Sequence, residues 1–198
     1  MIKIIKTKKL TAFSLIEMVV SLGVIMFVSV IFISNYRVTN RRTDLIMTAQ
    51  SLVSDLHAVQ NNALGLAKYG SIVPAGGWGI SFDKGAGGYT IFADLNEPGS
   101  EGYMKMDKAT EVERNFGARE VFFNGEIKIA EMKIFSGTNE YLSDKLNISF
   151  LPPDPSTNIF NVNTNASGTA ATIELKELGS ESSKIIRVNF LGLIEVLE

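Results

Sequence analysis

The sequence predicts an α+β protein, a long N-terminal helix laid on an antiparallel β-sheet. Three observations predict it. Residues 13–33 form a predominantly apolar run with one charged member, Glu17. Beyond it Leu45, Ala49, Leu52, Leu56, Val59, Ala63 and Leu66 recur at alternating steps of four and three, which places them on one face of a helix. From Tyr69 onward the composition shifts to glycine, proline and clusters of β-prone residues, the pattern of strands joined by turns.

The N-terminal part comes first. Lys3, Lys6, Lys8 and Lys9 precede the apolar run. About 20 apolar residues suffice to cross the hydrocarbon core of a bilayer as a helix, and a carboxylate within such a run costs a few kcal/mol on insertion scales. Glu17 is therefore read as functional, with a partner to be found. No proline occurs before Pro74, so the helix is expected to continue to about Lys68. Residues 13–34 form its membrane portion and residues 35–68 an amphipathic stalk. The stripe covers only about three heptads, so it is expected to pack on a sheet of the same chain rather than in a coiled coil.

Residues 69–198 are expected to form a β-rich head. Strands are predicted at 78–82 and 88–93, joined by Asp83-Lys84-Gly85-Ala86-Gly87 as a hairpin, and at 120–123, 127–135, 146–151, 171–177 and 184–197, the last broken near Gly192. The Pro- and Asn-rich stretches 152–157 and 161–168 read as surface loops. Asn147-Ile148-Ser149 and Asn165-Ala166-Ser167 match the N-glycosylation acceptor pattern.

Lys8-Lys9-Leu10-Thr11-Ala12 followed by Phe13-Ser14-Leu15-Ile16-Glu17-Met18 resembles the leader and mature start of type IV prepilins and pseudopilins. The glycine-tryptophan-glycine hairpin and Tyr89-Thr90-Ile91-Phe92-Ala93-Asp94 are similar to the heads of H-type minor pseudopilins and related T-type minor pilins. The resemblance runs over residues 8–35 and extends to about residue 97. It implies a pilin fold, a leader of residues 1–12 cut between Ala12 and Phe13 by a prepilin peptidase, and N-methylation of Phe13. The family pattern has glycine where this chain has Ala12. The resemblance further implies other pilin or pseudopilin subunits and an inner-membrane assembly platform as partners, with Glu17 pairing with the free amine of Phe13 on a neighbouring subunit. The head would lie outside the cytoplasm, in a type IV pilus or a type II secretion pseudopilus. A plain membrane anchor with Glu17 as a helix-start acid, a secretory signal peptide, and a tip-displayed binding module stay open beside it.

Composition narrows the rest. Without the four leader lysines the chain carries 15 basic residues against 21 acidic, a net charge of −6, which disfavours broad attachment to nucleic acid. There is no cysteine and one histidine, His57, so acyl transfer and zinc hydrolysis find no obvious set of groups. No enzymatic activity and no cofactor are expected. The one metal candidate is a calcium loop of Asp94, Asn96, Glu97 and Glu101, residue types that also build ordinary turns.

Overall fold

The computed structural model describes residues 14–100, 102–106, 118–152, 156–164 and 166–197. It is α+β. Among the described residues one helix, α1 (Leu15–Leu64), precedes eleven strands, every pair antiparallel. The chain divides into two compact units, Met1–Asn40 and Arg41–Glu198, with α1 contributing to both.

In the first unit the large apolar side chains of α1 are exposed as far as Ile33. From Leu15 to Ile33 the large ones range from 41% to 81% exposed, and the stretch is long and apolar enough to cross a membrane. Ser29 donates its hydroxyl to the Ile25 carbonyl at 2.7 Å, satisfying a polar group inside the run without a partner from elsewhere.

The second unit is built on two sheets rather than the single one expected. The first has the order β3-β2-β1-β6-β7-β8, from β1 (Gly77–Asp83), β2 (Gly88–Asp94), β3 (Ala118–Phe122), β6 (Lys145–Leu151), β7 (Ser156–Asn161) and β8 (Ala166–Gly168). The second runs β11-β10-β9-β4-β5, from β4 (Ile127–Ser136), β5 (Asn139–Leu142), β9 (Ala170–Glu177), β10 (Ser183–Asn189) and β11 (Ile194–Leu197). Strands β7 and β8 fall in the stretches expected to be loops, and β5 was not among the strands expected. In β7 the inward positions are Thr157, Ile159 and Asn161, paired with Phe150, Ile148 and Leu146. Polar residues there hide the alternation. Asn161 Oδ1 then accepts the backbone N–H groups of Asn163 and Thr164 at 2.9 and 3.2 Å, an Asx turn into β8.

The core is one cluster. Leu45, Ala49, Leu52, Leu56, Val59 and Ala63 of α1 are each at most 2% exposed and join Ile80, Phe82, Ile148 and Phe150 of the first sheet with Ile129, Met132, Ile173 and Val188 of the second. Leu66 does not join them. The helix stops at Leu64, and Leu66, with φ 52° and 53% exposure, closes its end. Leu66 N–H donates to Ala63 O and Ala67 N–H to Asn62 O, the bond pair of a Schellman ending in which Leu66 holds the left-handed position usually given to glycine.

Candidate functional site

The site with most chemistry in the first unit is the start of α1. Ser14 sits just outside the helix, and its carbonyl accepts the Met18 N–H at 3.2 Å. The Glu17 N–H donates to Ser14 Oγ at 3.3 Å, and the Ser14 N–H donates to Glu17 Oε2 at 3.0 Å. These reciprocal bonds form a capping box, Ser-x-x-Glu, satisfying two groups left open at a helix start. The signal was present in the sequence, since Ser and Glu three apart ahead of an apolar run is the cap's own pattern. It lay inside the string read for processing. A carboxylate in the first helical turn also suits the positive end of the helix dipole. The box uses one carboxylate oxygen, Oε2, and leaves Oε1 outside it. Ala12 and Phe13, the expected processing pair, lie outside them.

The candidate calcium loop begins at a buried carboxylate. Asp94, fully buried at the end of β2, accepts the backbone N–H groups of Asn96, at 2.9 Å, and Met104. A Cβ on Gly76 would overlap its carboxylate. The carboxylate thus organises a strap, residues 102–106, across the outer face of the first sheet. Ser149 donates its hydroxyl to Met104 O at 3.3 Å. Asn147, with its amide set to suit its neighbours, accepts from Met106 N–H at 2.9 Å and donates to Ser81 Oγ at 2.8 Å. Two buried polar side chains, Asn147 and Ser149, therefore supply partners to the half-buried backbone of the strap, and Ser81 holds Asn147 in place. Asn96 and Glu97 remain in the turn, Glu101 lies outside the described residues, and no group of three His, Cys, Asp or Glu side chains able to hold a metal forms among those described. Of the two glycosylation acceptor patterns, Asn147 is 1% exposed in the folded chain and Asn165 lies outside the described residues.

One further polar cluster ties α1 to the first sheet. The Tyr89 hydroxyl donates to Asp55 Oδ2 at 2.6 Å, and Arg119 lies 3.8 Å from Asp55 Oδ1. Phe82 and Phe123 flank the Tyr89 ring at 5.8 and 5.7 Å. Burial, then the bond to Asp55, pushes the phenol far above its ordinary value, so it stays a donor. Nothing in the sequence pattern announced this trio. His57 is exposed on α1 and takes no part in the Tyr89–Asp55–Arg119 contacts.

Comparison of the chain with protein-family models, with curated proteins and with solved structures finds no match. The fold and site define an α+β chain whose single described helix begins with a capped, exposed apolar segment of membrane-spanning length.

Proposed function

We propose that this chain is a non-enzymatic pilin-like subunit, a minor pilin or pseudopilin, that is cut between Ala12 and Phe13 and assembles into a type IV pilus or a type II secretion pseudopilus. The pilin fold, the inner-membrane location with the head outside the cytoplasm, and partnership with other subunits, a prepilin peptidase and an assembly platform belong to this reading. The observation that carries it is an acid, Glu17, in the first turn of an exposed apolar helix, where a charge is costly without a partner. Glu17 Oε1 is the oxygen left to meet the amine of Phe13 on a neighbouring subunit once the leader is gone. Residues 13–33 would exchange lipid for neighbouring helices in the filament. N-terminal mass spectrometry of protein made in a host with an active prepilin peptidase tests it. A chain starting at methylated Phe13 is expected; an intact leader or a cut near Ser34 overturns it, and in the former case Ala12→Gly should restore cleavage if Ala12 alone is the obstacle.

The capping box favours a second reading, a membrane-tethered protein that does not polymerise. There Glu17 acts within its own chain, ending a helix start that the bilayer interface solvates poorly.

A further inference from the structure

A shallow hollow of about 350 Å³ opens where the two sheets of the second unit meet. The β1–β2 turn is fastened to β4 there, Gly85 N–H donating to Ile129 O at 2.8 Å and Ile129 N–H to Ala86 O at 3.0 Å. The ladder between β4 and β9 slips at Ala130, a bulge between Ile129 and Glu131, and Ala130 lines the hollow. Bulges of this kind re-aim side chains beside functional surfaces. Lys84, Lys128 and Lys176 stand around it, with Leu178, 58% exposed, beside them. The one acid in the lining is Glu177, whose carboxylate is mostly buried and lies 3.5 Å from Arg41. Lys84 and Lys176 each lie 3.5 Å from a well-exposed acid outside the lining, Asp144 and Glu181, and exposed pairs of this sort are weak. Three lysines line the hollow beside an apolar side chain in a chain that is otherwise acidic.

We propose that this hollow binds the headgroup of an anionic phospholipid, the three lysines meeting the phosphate and Leu178 the carbons next to it. Small-molecule sites combine an apolar lining with a few convergent polar groups in volumes of about 300–1,000 Å³. A phosphate diester with an apolar arm matches both halves of this lining, whereas a free anion leaves Leu178 unused. A chain with a membrane-spanning helix also meets phospholipid at high local concentration. The inference rests on the apolar helix and not on assembly into a filament.

Native mass spectrometry of the full chain in nonionic detergent tests it, with dihexanoyl phosphatidylglycerol, dihexanoyl phosphatidylcholine and inorganic phosphate as probes. Each lysine near a phosphate is worth about fivefold in affinity, so phosphatidylglycerol should bind at least about tenfold better than phosphatidylcholine. The variant Lys84→Gln/Lys128→Gln/Lys176→Gln should lose that preference with its thermal transition unchanged. If the triple variant fails to fold, Lys128→Gln and Leu178→Ser are read singly, each expected to lower phosphatidylglycerol binding severalfold. Equal binding of the two lipids, retention of the preference in the variants, or inorganic phosphate displacing the lipid at equal concentration would each overturn the assignment, the last by making it a site for a free anion.

Discussion

Replacing Glu17 by Gln separates the two tasks open to its carboxylate. In the structure that group accepts the Ser14 N–H at 3.0 Å while Ser14 Oγ accepts the Glu17 N–H at 3.3 Å. A glutamine carbonyl can take the same N–H, and Gln is an accepted partner in a capping box, so Glu17→Gln keeps the cap and removes the charge. Glu17→Ala removes both. A helix cap is worth about 1 kcal/mol, roughly fivefold in an equilibrium. Stripping one partner from a buried ion pair costs about 3–5 kcal/mol, on the order of a hundred- to a few thousandfold. If Glu17 pairs with the Phe13 amine of a neighbour, both variants should be cleaved and inserted normally, yet both should fall by about a hundredfold or more in sheared filaments. The two variants should then differ from each other by less than about tenfold. The assay is the ratio of subunit in purified filaments to subunit in membranes, in a host carrying the assembly system, with the N-terminus checked by mass spectrometry. A Gln variant that incorporates like the parent while Ala drops about fivefold would refute the pairing and leave the cap as the whole role of Glu17.

Three other outcomes follow from the second unit. Tyr89→Phe should cost about 1–2 kcal/mol at neutral pH by removing the donor to Asp55. Because folding raises the Tyr89 pKa from 10.0, both states keep the proton below pH 10, and above it the unfolded chain loses one that the folded chain holds. Native stability should therefore fall by about 1.4 kcal/mol per pH unit above pH 10 through this group; a parent-minus-variant difference that stays flat from pH 9 to 12 would remove the basis. Leu66→Gly should raise stability by about 1 kcal/mol, since Leu66 holds φ 52° at the helix end, and a lowered melting temperature would contradict it. Gly88→Ala should destabilise by about 1–3 kcal/mol, because its Cβ would overlap the Val121 carbonyl across the β2–β3 ladder; urea unfolding with an unchanged midpoint would show that the edge yields freely.

The α+β class was legible because two periodicities sit in separate stretches of the chain. Six of the seven stripe positions are buried as their spacing demands; Leu66 is not, because the helix ends in a left-handed residue that spacing cannot reveal. The β1–β2 hairpin was readable from its glycines and alternation, and the central parts of β4, β6 and β9 from their apolar runs. Strands β5 and β8 are short and largely exposed, and β7 faces the core partly with Thr157 and Asn161, so hydrophobic pattern could not find them. The second sheet was missed for the same reason that pairing is a property of distant segments. At the helix start the acid stood out as a charge in an apolar run, and its local bond to Ser14 fits the helix-start reading left open beside a distant partner. Asp94 was also singled out, and its burial turned it toward backbone N–H groups.

The strap of residues 102–106 carries a lesson about order of assembly during synthesis. Its backbone is held from one side by Asp94, which precedes it, and from the other by Asn147 and Ser149, which emerge much later. The α1 stripe waits longer still, since its cover includes Val188 and Ile194. A ribosome releases the chain from the N-terminus, at about 5–20 residues per second, so Leu52 and Leu56 stay uncovered for seconds after they appear while β1 and β2 can already pair. Such non-local closure is slow and exposes apolar surface. The nascent chain therefore has a window in which the uncovered stripe is open to the wrong partner.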